Sequence, residues 1–201
     1  RQVDATFTAT EKLSMRGVDQ VVAWTRTCLH AVSDDRKVMI YCDDGSTLSG
    51  WLHSGWTMEA WRGVAGRVSD LKAAYKQLPA SPTDRGLNVI AVKNPERGVS
   101  FFRAVSLMFG QTAAVYSFVR VSRALSHLAT RLLNVISVEF FDDFTQVSQK
   151  KVAASSQTAL EWMLQLLGWR IATEDSKRLP FASTFVSLGV QIKLGRSTDR
   201  I

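Results

Sequence analysis

Cysteine and proline are scarce in this chain, and long hydrophobic runs are missing. The sequence has two cysteines, Cys28 and Cys42, and four prolines among 201 residues. Two cysteines without metal-ligand spacing favour neither a zinc site nor a disulfide framework, so we expect an intracellular protein of the cytoplasm or nucleus. No apolar run approaches the roughly 18 residues of a membrane-spanning helix, which predicts no membrane partner. Because the chain opens at Arg1 without a signal-peptide pattern, we expect a piece of a longer polypeptide.

Composition and charge are those of a globular domain that suits a polyanionic partner. Apolar residues make up 46% of the chain and charged residues 21%, which is ordinary for a folded protein. The net charge of +7 favours a partner such as nucleic acid, although many basic proteins bind none. The oligomeric state is left open.

Hydrophobic periodicity and turn residues predict an α+β fold. Helical spacing predicts helices over 18–32, 112–133 and 158–168, the last from a capping box at its start and Gly168 at its end. Apolar runs between turn signals predict strands over 38–41, 46–52, 64–71, 88–92, 99–105, 135–139, 144–147, 169–172 and 184–192. This order predicts an antiparallel sheet with helices on one face.

The stretch Phe140-Phe141-Asp142-Asp143 is the most informative in the chain. Apolar runs on both sides of it predict a β-hairpin whose tip is an acidic pair. Two like charges at a tight tip repel, so a bound cation would justify them. A solvated turn is the alternative interpretation.

A second carboxylate, Asp70, stands at the end of a predicted strand, and Tyr75 follows five residues later. If Asp70 lies beside the acidic hairpin, three carboxylates converge and need divalent cations to offset their repulsion. Taken alone, Asp70 would equally suit a helix N-cap, and Tyr75 a core position.

Five motifs in order resemble those of a retroelement reverse transcriptase of the LTR-retrotransposon type, over about residues 64–192. They are Asp70 with Ala74-Tyr75, Leu107-Met108-Phe109-Gly110, Phe140-Phe141-Asp142-Asp143, Leu167-Gly168-Trp169 with Lys177 and Pro180, and Phe185-Val186-Ser187-Leu188-Gly189. The resemblance implies an RNA-directed DNA polymerase, with template-primer of RNA or DNA and deoxynucleoside triphosphates as partners. It implies a polymerase palm over 61–201, in which 81–105 is a fingers hairpin, and a poorly matched fingers-like or lead-in segment over 1–60.

The resemblance also implies a role for each motif residue. Two Mg²⁺ ions, or Mn²⁺ in their place, would be held by Asp70, Asp142, Asp143 and the Leu71 carbonyl. Tyr75 would be the steric gate against ribonucleotides, with Phe109 and Gly110 beside the incoming nucleotide. Lys177 would protonate the leaving pyrophosphate, and Leu188 and Gly189 would contact the primer end.

Several features depart from the family pattern and leave alternatives open. Phe140 replaces the usual tyrosine, Met108 and Val115 stand where prolines are usual, and the basic pair that grips the triphosphate is not identified. One alternative is a decayed or domesticated domain that binds nucleic acid or a partner without catalysis. Another is an RNA-directed RNA polymerase, which the aromatic gate opposes. Tyr41-Cys42-Asp43-Asp44 matches the third motif more closely, but it precedes Asp70 and runs into Gly45, which is typical of an ordinary turn.

Overall fold

The computed structural model describes residues 14–84, 86–174 and 177–194. Its described helices are α1 (Val18–His30), α2 (Met58–Arg62), α3 (Thr112–Leu133) and α4 (Ala153–Leu166), with 3₁₀ turns at Ala74–Gln77 and Pro82–Asp84. Its described strands are β1 (Lys37–Tyr41), β2 (Thr47–Trp51), β3 (Val64–Asp70), β4 (Val89–Asn94), β5 (Gly98–Arg103), β6 (Ser137–Phe140), β7 (Asp143–Gln149), β8 (Thr184–Ser187) and β9 (Val190–Lys193). The predicted α+β class is confirmed at this level.

The described strands form several small antiparallel sheets. The central sheet has three strands in the order β3-β7-β6, and the pairs β1-β2, β4-β5 and β8-β9 form two-stranded sheets. Asp143 begins β7 opposite both Asp70 of β3 and Phe140 of β6. The register therefore brings the first acidic motif and the acidic hairpin to the same end of one sheet.

One face of the central sheet packs against α3 and α4. Successive residues of a strand point to opposite faces of the sheet, and Phe144 points to the face that α3 and α4 cover. Phe144 is fully buried in the main core, together with Phe118 of α3 and Leu160 and Leu164 of α4. Since one fully buried side chain of this size contributes roughly 1.5–3 kcal/mol, this layer holds the strands that carry the acidic residues.

The opposite face of the sheet is covered as well. Val138 and Val147 form a second buried cluster with Val21 of α1 and Ile192 of β9. The prediction of helices on one face is therefore wrong, since α1 lies on the other. Strands buried on both faces read as nearly continuous apolar runs, so their pattern does not reveal where each covering element lies.

Three predicted elements also take a different form in the structure. Helix α4 begins at Ala153 with Val152 as its N-cap, so Thr158 and Glu161 lie inside the helix and form no capping box. In place of a strand over 169–172 there is an isolated bridge between Leu71 and Ile171. The predicted strand over 184–192 is the hairpin β8-β9, because its middle residues adopt positive φ angles and reverse the chain.

Candidate active site

The three aspartates of the predicted metal site lie at one end of the central sheet. Asp70 ends β3, and Asp143, its partner across the antiparallel pair, begins β7. Directly opposed residues project from the same face of a sheet, so these two carboxylates are neighbours. Asp142 immediately precedes β7, and its carbonyl accepts a 3.2 Å hydrogen bond from the Leu71 N–H.

The tip of the acidic hairpin is Phe141-Asp142, one residue earlier than the predicted pair. Phe140 and Asp143 are paired strand residues, so the turn contains the two residues between them. Phe141 has a φ of 53°, a left-handed conformation that is uncommon for a bulky residue. Its ring meets the Phe140 ring edge to face at 5.1 Å. Pairing with both β3 and β6 extends the ladder to Asp143 and leaves only two residues for the turn.

The negative charge of the three aspartates exceeds the positive charge that Lys177 supplies beside them. Burial, and then the charges of Asp142 and Asp70, raise the pKa of the Asp143 carboxyl to about 6. Burial and the charge of Asp70 also raise the pKa of Asp142 above its ordinary range. The Lys177 charge opposes both shifts without cancelling them. An arrangement of this kind attracts a further cation.

Lys177, the lysine of the fourth motif, lies next to the acidic cluster. Its ammonium donates to Oδ2 of Asp70 in an ion pair. That hydrogen bond and the Asp70 charge raise the pKa of Lys177 above its usual value. The side chain remains about half exposed, so the ion pair is open to solvent and to exchange with other cations.

The donor chemistry of this cluster fits Mg²⁺, which prefers carboxylate and carbonyl oxygens. No N–H in the described backbone donates to the Leu71 carbonyl, so that oxygen is available as a further ligand. Within the described ranges, however, no group of three His, Cys, Asp or Glu side chains is already arranged to hold a metal ion. Asp70 is turned to Lys177 instead. The residues fit the ion in kind, and Asp70 would have to leave Lys177 to bind it.

Tyr75 connects the acidic cluster to the main core. Its ring stacks on Phe118 at 4.6 Å and lies 4.7 Å from the ring of Phe109. Only 5% of the residue is exposed. Burial and the negative charge of Asp142 raise the pKa of the Tyr75 hydroxyl. The side chain therefore has a fixed position within electrostatic reach of the acidic turn.

Phe109 and Gly110 lie on the outer side of that aromatic stack. Phe109 is 69% exposed, so most of its surface faces solvent beyond Tyr75. Gly110 has a φ of 86°, and a side chain there would be strained. The structure thus brings the three predicted nucleotide-binding residues together, with an exposed aromatic ring next to a buried one.

Leu188 and Gly189 form the two-residue turn of the β8-β9 hairpin, with φ angles of 52° and 76°. The preceding Ser187 hydroxyl lies 2.7 Å from the hydroxyl of Thr145. Thr145 shares a face with Asp143, two residues away in β7, or about 7 Å along the strand. The predicted primer contacts are therefore on the aspartate face of the sheet.

The stretch Tyr41-Cys42-Asp43-Asp44, whose sequence matches the third motif more closely, lies in a different hairpin. Asp44 accepts hydrogen bonds from the backbone and hydroxyl of Ser46, and Gly45 has a φ of 80°. These are the features of a turn that satisfies its own polar groups. Asp43 is exposed there.

A second charged cluster was missed in the sequence. Glu161 of α4 is buried and pairs with Arg67 of β3 at 3.0 Å and with Arg178 at 2.7 Å. Burial alone would raise the pKa of Glu161, but hydrogen bonds from Arg178, Gln157 and Arg67 hold it below its ordinary value. Nothing in the local sequence around Glu161 indicates these partners, because they are distant along the chain.

Comparison of the chain with protein-family models and with curated proteins finds no match. None of the helices in the described ranges is long and apolar enough to cross a membrane.

Proposed function

We propose that this chain is a polymerase palm of the reverse-transcriptase type that transfers deoxynucleotides to a primer 3′-hydroxyl on an RNA or DNA template. The observation that carries the proposal is the pairing of Asp70 with Asp143, with Asp142 in the adjoining turn. An ordinary solvated turn gives no reason for three carboxylates to share one sheet end, two of them, Asp142 and Asp143, partly buried with raised pKa values.

Asp70, Asp142, Asp143 and the Leu71 carbonyl would hold Mg²⁺. When bound, the ions would lower the pKa of the primer hydroxyl and stabilise the leaving pyrophosphate. Lys177, already beside the carboxylates, would supply a proton to that leaving group.

Substrate selection would depend on the aromatic stack. The Tyr75 ring stacks on Phe118 and also contacts the ring of Phe109. A ring fixed in this way excludes a ribose 2′-hydroxyl by its volume, whereas a mobile side chain would move aside. The turn at Leu188 and Gly189 lies on the same sheet face as Asp143 and would contact the primer end.

Primer extension with matched acidic variants tests the proposal. The chain is incubated with primed poly(rA) or a DNA template, deoxynucleotides and Mg²⁺, and extended primer is counted. Asp142→Asn should abolish extension, and Asp43→Asn, in an exposed turn, should leave it unchanged. Loss of synthesis in Asp43→Asn alone would assign the chemistry to the other hairpin.

A second candidate function is nucleic-acid binding without catalysis. It is favoured by the pairing of Asp70 with Lys177 and by the lack of a ready three-ligand group in the described ranges. The same primed templates separate the two, since a binding-only domain would retain labelled template-primer in a filter assay yet never extend it, with Mg²⁺ or Mn²⁺.

A further inference from the structure

The buried carboxylate of Glu161 ties three distant parts of the chain together. It lies on α4 and accepts from Arg67 of β3, which is fully buried three residues before Asp70. Its second oxygen accepts from Arg178, the residue directly after Lys177. Helix, strand and the segment that carries Lys177 thus meet at one carboxylate.

The two arginines are held in different ways. Arg67 packs at 6.0 Å from the ring of Phe181, and its Nε and Nη2 have no hydrogen-bond partner among the described residues. Its one charge-assisted hydrogen bond among the described residues is therefore to Glu161, and this buried ion pair joins β3 to α4. Arg178 is half exposed and joins its own segment of the chain to the same carboxylate.

Lys177 and Arg178 belong to the same backbone turn. Their backbone N–H groups both donate to the Glu174 carbonyl, at 2.8 and 3.0 Å. Lys177 reaches Asp70 and Arg178 reaches Glu161, so two adjacent side chains bind two different anchors. A bound metal ion would need Asp70 as a ligand. The ion pair between Arg178 and Glu161 would then be the one that still holds this segment in place.

We propose that Glu161, acting through Arg178, is a positioning residue that keeps Lys177 at the acidic cluster when Asp70 is engaged elsewhere. The inference deepens the function proposed above and rests on it for its catalytic consequence. The attachment itself is independent of catalysis and can be measured directly.

Endoproteinase Lys-C, which cleaves after lysine, measures the attachment through the bond after Lys177. Arg178→Gln removes the ion pair but leaves Arg67 paired with Glu161, so the fold should persist. The matched control is Arg62→Gln, because Arg62 is 52% exposed against 51% for Arg178 and also has one acidic partner. Rates on the folded chains are divided by those on the same chains in urea.

We expect Arg178→Gln to speed cleavage after Lys177 by up to about fivefold and to leave the other lysines unchanged, because that is the limit for an ion pair whose arginine is half exposed. Arg62→Gln should leave cleavage after Lys177 unchanged. Equal acceleration at every lysine, or none after Lys177, would overturn the positioning role whether or not the chain polymerises DNA.

Single-nucleotide incorporation then measures the catalytic consequence. Arg178→Gln should lower kcat with little change in the nucleotide KM, and it should have no additional effect in a Lys177→Ala background. Additive losses would show that Arg178 acts separately from Lys177. If the unmodified chain incorporates nothing, the proposed polymerase function fails, while the proteolysis result still decides the attachment.

Discussion

Asp70 and Asp143 face each other across the antiparallel pair of β3 and β7, at the end of both strands. Burial, and then the charges of Asp142 and Asp70, raise the pKa of the Asp143 carboxyl to about 6. This relationship makes the site sensitive to protons, to cations and to any change in the packing that holds the strands in register.

Stability in the absence of metal should rise as the pH falls from 7 to 5. The pKa of Asp143 is about 6 in the folded chain against an ordinary 3.8, so the folded state takes up a proton that the unfolded state does not. Asp143→Asn should therefore raise Tm at pH 7 in EDTA, and its advantage should shrink toward pH 5. Asp43→Asn controls for loss of one carboxylate. An advantage for Asp143→Asn that grows on acidification would contradict the shift.

Loss of the Tyr75 ring should affect both stability and substrate choice. Tyr75→Ala removes a buried ring that contacts both Phe109 and Phe118 and should cost about 3–5 kcal/mol of unfolding free energy. Tyr75→Phe keeps the ring and should stay within about 1.5 kcal/mol of the parent. Urea unfolding measures both. Extension assays below the Tm should show ribonucleotide use in Tyr75→Ala only, and equal selectivity in all three proteins would refute the gate.

A methyl group at Gly66 should loosen the β8-β9 hairpin. A Cβ there would lie 2.2 Å from the Phe185 ring, so the ring would have to move. We expect Gly66→Ala to destabilise the fold by about 1–3 kcal/mol. Gly50→Ala, in the exposed strand β2 with nothing within 4 Å, should be neutral or stabilise by up to about 1 kcal/mol. Equal thermal shifts in the two variants would contradict the close packing of Gly66.

Removing the Lys177 ammonium should strengthen divalent-ion binding while it weakens catalysis. Lys177→Met frees Asp70 and removes a positive charge, so Mn²⁺ affinity measured by electron paramagnetic resonance should rise by up to about fivefold, the limit for a partly exposed ion pair. Lys72→Met is the control, because the Lys72 charge acts on Glu174. Unchanged Mn²⁺ affinity in Lys177→Met would show that Lys177 and the metal do not compete.

Much of the local structure was predictable because short-range patterns determine it. Helix α3 was predicted with its observed bounds, and the hairpins β1-β2 and β4-β5 within one or two residues. Periodic apolar spacing and turns with Asp-Gly, or with Pro and Gly, act over a few residues. They can therefore be recognised without knowing which other element of the fold packs against them. The hairpin of β8-β9 was missed because Leu188, a bulky residue at positive φ, carries no turn signal.

The acidic motifs could be identified from the sequence alone. They are an aspartate at a strand end, an acidic pair after an apolar run, and a lysine that follows both along the chain. Tertiary structure alone decided that Asp70 opposes Asp143, that Lys177 pairs with Asp70, and that Glu161 joins Arg67 to Arg178. A strand's partner and register depend on burial of both sheet faces, and an ion pair depends on which charges that burial brings together. Neither depends on spacing along the chain, so these relationships appear only in the folded molecule.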